Sequence, residues 1–301
     1  MNNNDPTQQK TSKTPANSGF TGDSYELIDF GNGRKLENFA GLTLDRPCPA
    51  AEGSKRTSVS SWESADLVFR NDPKSGWTSS EVQPGWIFRW NDIAMELRTC
   101  PFGHVGLFPE QIANWRWMRS LAEAKNRPVN SFKALNLFGY TGGSSLALAA
   151  AGWQVTHVDA SRPTVLWARK NAQLSNLESA PIRWIVDDVR DFVSREAKRE
   201  EKYDLVLMDP PAYGHGADGK GWTLERDLEA LIEICIRILR PMASILVTGH
   251  SPIPSLKQGP FTDRTWKQFQ ATFSKSSSHQ VSLMDNSRRK LDFGYAYRFW
   301  N

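Results

Sequence analysis

Four polar or glycine-rich motifs each follow an apolar stretch in the second half of the chain. The first is LNLFGYTGGSSLALA, where an apolar run enters a turn containing Gly139, Gly142 and Gly143. Glycine lets the backbone turn sharply and approach a ligand without a Cβ in the way. The start of the following helix adds unpaired N–H donors. The spacing is GxxGG and not the GxGxxG of dinucleotide sites, and a plain strand–helix connection is the alternative interpretation.

Asp159 ends the second apolar stretch, QVTHVDA, and lies 20 residues after Gly139. An acidic residue at this distance, at the tip of a second strand, is placed to bond the hydroxyls of a ribose. Its alternative role is to cap the next helix, but Ser161 occupies the better cap position. The pattern therefore favours a ligand role for Asp159.

The third motif is the pair Asp187 and Asp188, which follows the apolar stretch IRWIV. A carboxylate at this point could accept a hydrogen bond from an adenine amino group in the same crevice. Capping of the following helix is the alternative for one of the two residues. We favour Asp188 as the ligand contact.

The fourth motif is DPPAYG, residues 209–214, at the end of the apolar stretch YDLVLM. An acid at the carboxyl end of a buried strand lies where open α/β sheets bind ligands. Two prolines then end the sheet ladder and stiffen the loop. Tyr213 offers a flat face for a planar group. The motif indicates a ligand or substrate site more strongly than a structural turn.

Alternating strands and helices must position these motifs. From Ser131 onward, ALNLFG, QVTHVDA, IRWIVDD, YDLVLMDPP and ASILVTGHS alternate with helical stretches. This alternation predicts an α/β fold with a parallel sheet and helices on both faces. QVSLMD and LDFGYAYRFW, joined by NSRRK, predict a closing antiparallel hairpin. The carboxyl ends of parallel strands meet at one edge, so the four motifs converge on one crevice.

The first 130 residues follow a different pattern. Residues 1–22 are polar and predict a disordered tail. Residues 23–130 contain short apolar runs, turns and several tryptophans, and YELIDFGNGRKLENF predicts a β-hairpin. EQIANWRWMRSLAEA has helical spacing. We therefore predict a smaller β-rich N-terminal domain with a linking helix, followed by a larger domain of residues 131–301.

The composition excludes several classes of protein. The chain has 301 residues, of which 39% are hydrophobic, and a net charge of +4, which permits a nucleic-acid partner without requiring one. Three cysteines without a CxxC pair exclude a disulfide scaffold and give no sign of a metal site. The start of the chain does not read as a signal peptide, and no run of about 18 apolar residues exists. We expect a cytoplasmic protein without a membrane partner.

The four motifs occur in the order found in class I S-adenosylmethionine-dependent methyltransferases, which residues 131–301 resemble. LNLFGYTGG with DPP is similar to the ribosomal RNA large-subunit methyltransferase group of cytosine-5 and guanine type. The hairpin YELIDFGNGRKLE with RPCPAA fits a less characterised bacterial branch of that group. GLFPEQIANW, residues 106–115, resembles the segment that leads the group's catalytic domain and covers the cofactor. The resemblance implies a Rossmann-like seven-stranded methyltransferase sheet with S-adenosylmethionine as cofactor.

The resemblance also implies which residues form the site. Asp209, Pro210 and Tyr213 are expected to act on the methyl acceptor: the Asp209 carboxylate and the Pro210 carbonyl accept its hydrogens, and Tyr213 stacks on the base. The residues expected at the cofactor are Phe108, Gln111, Asn136, Phe138, Gly139, Tyr140, Thr141, Gly142, Gly143, Asp159, Ala160, Ser161, Asp188, Val189 and Asp209.

The position of the cysteines argues against cytosine-5 chemistry, which needs a cysteine nucleophile. Cytosine-5 members of the group carry that cysteine just after the fifth strand, where this chain reads VTGHSP. Cys235 lies among isoleucines within a predicted helix, and we interpret it as a core residue. We therefore expect methyl transfer to nitrogen or oxygen. His215 and His250 are candidate bases, with solvated loop histidines as the alternative.

RNA, and ribosomal RNA in particular, is the expected substrate, chiefly through the resemblance. Residues 257–301 hold eight basic and three acidic side chains interleaved with aromatic residues, which suits phosphate and base contacts. A solvated hairpin tip is the alternative for this segment. Alternative functions are methylation of a protein side chain, non-catalytic RNA binding or assembly, and nicotinamide-dependent oxidoreduction, which the GxxGG spacing and the DPP loop oppose. The sequence is compatible with a monomer or a homodimer.

Overall fold

The computed structural model describes residues 24–70, 76–78, 86–123, 128–215, 221–250 and 259–301, except for the side chains of residues 122, 123 and 215. The predicted disordered tail, residues 1–22, lies outside the described residues. The strands and helices are, in chain order, β1 (Tyr25–Gly31), β2 (Arg34–Phe39), β3 (Leu42–Pro47), α1 (Val59–Glu63), β4 (Leu67–Arg70), β5 (Gly76–Trp77), β6 (Ile87–Trp90), β7 (Ile93–Glu96), α2 (Ile112–Glu123), β8 (Lys133–Leu137), α3 (Gly143–Ala150), β9 (Gln154–Asp159), α4 (Arg162–Leu174), β10 (Ile182–Val186), α5 (Val189–Lys198), β11 (Tyr203–Met208), β12 (Tyr213–His215), β13 (Gly221–Thr223), α6 (Leu224–Arg237), β14 (Leu239–Gly249), α7 (Asp263–Thr272), β15 (Lys275–Met284) and β16 (Lys290–Trp300).

Seven strands form the large sheet, in the order β10-β9-β8-β11-β14-β16-β15. The first five are parallel, because helices carry the chain back between them, whereas β16 runs antiparallel to both of its neighbours. The predicted α/β fold and the closing hairpin are confirmed. The order reverses between β8 and β11, and in open α/β sheets ligands bind outside the carboxyl ends of the strands at such a point.

The two faces of the large sheet carry separate apolar cores. One core contains Ile232 and Cys235 of α6, and Cys235 is fully buried, which confirms its interpretation as a core residue. The other core joins Trp90 of β6, Trp115 of α2 and Leu146 of α3. The N-terminal strands therefore share a core with the sheet. The division of the chain into two domains at residue 130 stays a prediction.

The N-terminal strands β1 to β5 form a second sheet in chain order, and β6 pairs with β7. The hairpin of β1 and β2 is confirmed, and its turn residues Asn32 and Gly33 have φ values of 55° and 71°. Positive φ at both central residues is typical of the tight turns that suit strand twist. Five further strands, β3, β4, β5, β12 and β13, were not predicted. They have only two to six residues, and such short stretches show no clear alternation of apolar and polar side chains.

A buried ion-pair cluster fastens the N-terminal sheet to the chain that follows it. Glu37 of β2 accepts from Arg46 of β3 at 2.6 Å and lies 3.0 Å from Lys35. Burial works to raise the pKa of Glu37, but the two cations lower it to about 2. Arg46 also donates to the carbonyl oxygen of Gly103 at 3.1 Å, which ties the sheet to the segment leading into α2. Within the described part of the chain, no helix is long and apolar enough to cross a membrane.

Candidate active site

A cleft opens at the carboxyl ends of β8, β11 and β14, where the strand order reverses. The loop before α2 closes one side of it. The predicted site residues that line the cleft are Phe108, Gln111, Asn136, Phe138, Gly139, Tyr140, Thr141, Gly143 and Asp209. The predicted site residues outside its lining are Gly142, Asp159, Ala160, Ser161, Asp188, Val189, Pro210 and Tyr213. The motifs at the ends of β8 and β11 therefore meet, as the strand pattern predicted.

The turn between β8 and α3 has left-handed backbone at Phe138, Tyr140 and Gly142, with φ values of 56°, 49° and 93°. Two of these residues are not glycines, so the turn carries strain that glycine would avoid. Asp159 of β9 stabilises it, because one carboxylate oxygen accepts from the N–H of Tyr140 at 2.9 Å and the other from the N–H of Ser161 at 2.9 Å. Burial raises the pKa of Asp159, against these two hydrogen bonds. Asp159 thus couples the ends of β8 and β9.

Gly139 and Gly143 are required by close packing and not by positive φ. A Cβ on Gly139 would lie 2.4 Å from the ring of His157, and one on Gly143 would lie 2.4 Å from the indole of Trp115. His157 is fully buried, and burial lowers its pKa to about 3, so the ring is neutral. One face of the turn is therefore packed against His157 and Trp115, and the opposite face lines the cleft.

Two hydrogen bonds fasten the segment before and within α2 to this turn. Thr141 Oγ1 donates to the carbonyl oxygen of Gly106 at 2.6 Å, and Trp115 Nε1 donates to Ser144 Oγ at 3.0 Å. Between these points the ring of Phe108 lies 5.5 Å from that of Tyr140. The segment thus lies across the cleft from the turn, and its expected role of covering the cofactor stays a prediction.

Asp209, directly after β11, is surrounded by polar groups from two other elements. Gln111 Nε2 donates to Asp209 Oδ2 at 3.0 Å, and His250 Nε2 lies 3.6 Å from the same oxygen. Asp209 Oδ1 is shielded from solvent and has no hydrogen-bond partner among the described residues. Burial works to raise the pKa of Asp209, but the charge of His250 and the polar groups of His250, Thr248 and Gln111 lower it below its usual value.

His250, which follows β14, lies between two carboxylates. Its Nδ1 is 3.7 Å from Glu110 Oε1, its Nε2 faces Asp209, and its ring lies 5.3 Å from that of Phe108. Burial works to lower the pKa of His250, but Asp209 and Glu110 raise it to about 9. His250 is therefore a cation at neutral pH. In the sequence, His250 is a candidate base without a visible partner, and its two carboxylate neighbours become apparent only in the structure. The side chain of His215, the other candidate base, lies outside the described residues.

Asp188 caps α5: its carboxylate accepts from the N–H of Arg190 at 2.8 Å and pairs with that guanidinium at 2.6 Å. Burial works to raise the pKa of Asp188, but the bonds to Arg190 lower it. Ser161 caps α4. Tyr213 is 80% exposed on the short hairpin after the DPP motif. The ligand roles of these three residues stay predictions.

Several residues that line the cleft were missed by the sequence analysis: Met95, Gly106, Leu107, Trp115, Ser144, Leu207, Met208, Leu246 and Thr248. Thr248 and Leu246 lie near the end of β14, and Ser144 follows the double glycine, so the strand-end pattern could have found them. Met95 lies on β7 of a separate two-stranded sheet, and no local signal marks it.

The basic C-terminal segment has mainly structural contacts. Arg289 pairs with Asp285 at 2.6 Å and with Asp29 of β1, which ties the hairpin tip to the N-terminal sheet. Tyr295 and Tyr297 are 0% and 1% exposed. These two rings belong to the core, so they are not among the aromatic residues of this segment that could contact bases. Among the residues that the structure describes, no cluster of histidine, cysteine and acidic side chains could hold a metal ion.

A seven-stranded sheet with one antiparallel strand, and a cleft at the point where its order reverses, define the Rossmann-like methyltransferase class. The family profile described as S-adenosylmethionine-dependent methyltransferase matches residues 50–274, and the chain belongs to that family. The predicted family and its cofactor, S-adenosylmethionine, are confirmed. A nicotinamide-dependent oxidoreductase is thereby excluded.

The chain is similar over nearly its whole length to an S-adenosylmethionine-dependent methyltransferase from Agrobacterium tumefaciens: 33% identity, 97% of each chain and a TM-score of 0.82. It is 33% identical over 138 residues to ribosomal RNA large subunit methyltransferase K/L of Hahella chejuensis, covering 45% of this chain and 18% of that protein. It is 35% identical over 91 residues to ribosomal RNA large subunit methyltransferase I of Salmonella arizonae, covering 30% and 23%. The chain therefore matches only about a fifth of the length of these two curated relatives.

Proposed function

We propose that the protein transfers the methyl group of S-adenosylmethionine to an amino nitrogen of a base in ribosomal RNA. The family assignment supports methyl transfer. The names of the two curated relatives support ribosomal RNA as the substrate. We further infer that the protein works in the cytoplasm, where ribosomal RNA is modified.

The observation that carries the proposal is Asp209 Oδ1, which is shielded from solvent and has no hydrogen-bond partner in the part of the chain that the structure describes. A buried acceptor without a donor is costly, so the site favours a ligand that supplies an N–H or O–H group. An exocyclic amino group has a hydrogen to donate and still keeps a lone pair for the methyl group. As the nitrogen takes the methyl group and the methyl–sulfur bond breaks, the nitrogen would release that hydrogen as a proton to Asp209 Oδ1. A ring nitrogen without hydrogen could not satisfy Asp209, and this favours an amino nitrogen.

The residues in and beside the cleft fit S-adenosylmethionine. The carboxylate of Asp159, outside the lining of the cleft at the end of β9, suits ribose hydroxyls. The rings of Phe108 and Tyr140 suit an adenine face, and the anionic Asp209 suits a positively charged ligand. When bound, S-adenosylmethionine supplies a methyl group that is already electrophilic. The protein then has to align the acceptor. Asp209 Oδ1 and the Pro210 carbonyl would hold the amino group, while Tyr213 stacks on the base.

Asp159→Ala is expected to weaken the binding of S-adenosylmethionine roughly 10- to 150-fold, because the loss of hydrogen bonds to a buried ligand costs on the order of 1.5–3 kcal/mol. Isothermal titration calorimetry measures the affinity. Asp92→Ala, which removes an exposed carboxylate paired with Arg119, serves as the control and should bind normally. Equal affinities for Asp159→Ala and the wild type would remove Asp159 from the ribose site.

Tyr213→Ala is expected to lower RNA affinity by about 5- to 150-fold, since stacking of one base on an aromatic ring is worth about 1–3 kcal/mol. Cofactor affinity should stay within twofold, because the exposed ring lies outside the cleft. Tyr213→Phe keeps the ring and should bind RNA normally. Met242→Ala, at another exposed apolar side chain, controls for general surface effects. Filter binding with ribosomal RNA fragments measures the effect, and unchanged RNA affinity in Tyr213→Ala would refute the stacking role.

Ribosomal RNA from a deletion strain tests the function directly. Purified protein with radiolabelled S-adenosylmethionine should label that RNA, and mass spectrometry of its nucleosides should find a base methylated at an amino nitrogen. Label in a ribosomal protein would support the protein-methyltransferase alternative. RNA binding without label would support a non-catalytic assembly factor. Methylation at carbon or at the ribose would contradict the role of Asp209.

A further inference from the structure

A chain of three hydrogen bonds connects the C-terminal strand β16 to Asp209. Arg298 Nη2 donates to Asn114 Oδ1 at 2.8 Å. Asn114 Nδ2 donates to Gln111 Oε1 at 2.7 Å, and Gln111 Nε2 donates to Asp209 Oδ2 at 3.0 Å. Asn114 and Gln111 are 1% and 8% exposed, so the hydrogen bond between them is buried, and the two outer hydrogen bonds are partly buried.

Arg298 sets the donor-to-acceptor direction of all three hydrogen bonds, because a guanidinium group only donates hydrogen bonds. Asn114 must therefore present its oxygen to Arg298 and its amide nitrogen to Gln111. Gln111 must in turn present its nitrogen, and not its oxygen, to Asp209. The carboxylate is thereby held at Oδ2, and Oδ1 is left without a partner among the described residues.

We propose that Arg298 is a positioning residue for methyl transfer that acts through Asn114 and Gln111 on Asp209. The inference rests on the proposed function, in which Asp209 Oδ1 holds the acceptor amino group. With the amide of Gln111 reversed, an oxygen would face the carboxylate and push it aside. Misplacement of a reacting group by about 1 Å can cost on the order of a hundredfold in rate.

The surroundings of Arg298 favour a role beyond packing. Its Nε is shielded from solvent and has no hydrogen-bond partner among the described residues. Burial lowers the pKa of Arg298 to about 10, so the group is still a cation at neutral pH. An apolar side chain could lie over the ring of Trp117, which is 5.0 Å from the guanidinium carbon, without the cost of burying a charge. Only a donor can orient Asn114.

Asn114→Asp is the sharpest test, because it changes polarity with almost no change in shape. The new carboxylate can still accept from Arg298, but it cannot donate to Gln111. Gln111 would then turn its nitrogen towards residue 114 and its oxygen towards Asp209. We expect kcat to fall about 10- to 100-fold, with the affinity for S-adenosylmethionine and the KM for RNA changed less than threefold.

Arg298→Met and Arg298→Lys provide a matched pair. Methionine removes the donor and should lower kcat like Asn114→Asp, whereas lysine keeps a donor and should restore part of the rate. Arg119→Met is the control, since Arg119 also lies over an indole ring, that of Trp90 at 5.6 Å, but pairs with exposed Asp92. That variant should keep the wild-type kcat.

A readout that needs no RNA separates this inference from the proposed function. The 13Cγ signal of Asp209 in the full chain, assigned by its loss in Asp209→Asn, reports the pKa of that carboxylate. The pKa should rise in Asn114→Asp and in Arg298→Met, because the bond from Gln111 is lost and the nearby charge becomes more negative. It should stay unchanged in Arg119→Met. An unchanged pKa of Asp209 in both network variants, or an unchanged kcat in an active enzyme, would overturn the inference. Absence of transfer by the wild type would instead refute the proposed function.

Discussion

Asp209→Ala is expected to lower the rate of methyl transfer roughly 100- to 1000-fold at saturating cofactor and RNA, the usual cost of removing a preorganised polar group at the reacting atoms. The carboxylate has one oxygen held by Gln111 and another without a partner among the residues that the structure describes, so it combines a fixed orientation with a free acceptor. Single-turnover transfer to RNA from the deletion strain measures the rate. Circular dichroism and calorimetry with S-adenosylmethionine separate this loss from misfolding or loss of cofactor.

Asp209→Asn sharpens the prediction, because it keeps the shape of the side chain. Gln111 and His250 both face Oδ2 as donors, so the amide oxygen of the variant would occupy that position. Its NH2 group would then stand where Oδ1 was and meet the acceptor amino group donor to donor. We expect almost the same loss as in Asp209→Ala. Wild-type rates in either variant would contradict the role of Asp209.

Cys235→Ala is the companion control for the chemistry. Cys235 is fully buried, and burial raises the pKa of its thiol. The thiol is therefore neutral, whereas a cysteine nucleophile has to be a thiolate. The variant should transfer methyl groups at the wild-type rate. Abolished transfer in a folded Cys235→Ala protein would instead indicate cytosine-5 chemistry.

The pH dependence of the site is expected to follow His250. The charged groups that act on it are Asp209 after β11, Glu110 before α2 and Lys35 of β2. Because its folded pKa of about 9 lies above the ordinary value of about 6.5, the cation stabilises the fold. That stabilisation is fully present below pH 6.5, declines as the pH rises, and is lost above about 9. NMR titration of the imidazole should give a midpoint near 9, and Asp209→Asn should move it towards the ordinary value.

His250→Gln is expected to shift the acid limb of methyl transfer to higher pH. The imidazolium is the main cause that lowers the pKa of Asp209, so without it the carboxylate takes up a proton at a higher pH. His250→Lys keeps a positive charge and should shift the acid limb less. A pH–rate profile between pH 5 and 10 distinguishes the two. An identical acid limb in His250→Gln and the wild type would show that His250 does not govern Asp209.

The local pattern of the sequence predicted most strands of the large sheet and half of the residues that line the cleft. Strands such as β8 and β11 are nearly continuous apolar runs because both of their faces are covered by helices. Their ends are marked by the glycine turn and by Asp-Pro-Pro, because the chain must leave the sheet there. The carboxyl ends of parallel strands meet at one edge of a sheet, which is why the sequence could predict that Gly139 and Asp209 lie at one crevice, whereas the order of the strands came only from the structure.

Only the tertiary structure decided which partners these residues have. Gln111 and Asp209 are 98 residues apart, and the Arg298–Asn114 pair is 184 residues apart. Apolar periodicity reports which face of an element is buried, but it does not report which distant polar groups meet on closure of the fold. For the same reason, the sequence did not predict that two carboxylates lie beside His250. It also did not predict that Tyr295 and Tyr297 are buried. The sequence thus determined the class of protein and the crevice, while packing of the N-terminal region and β16 against that crevice decided the charge and orientation of Asp209.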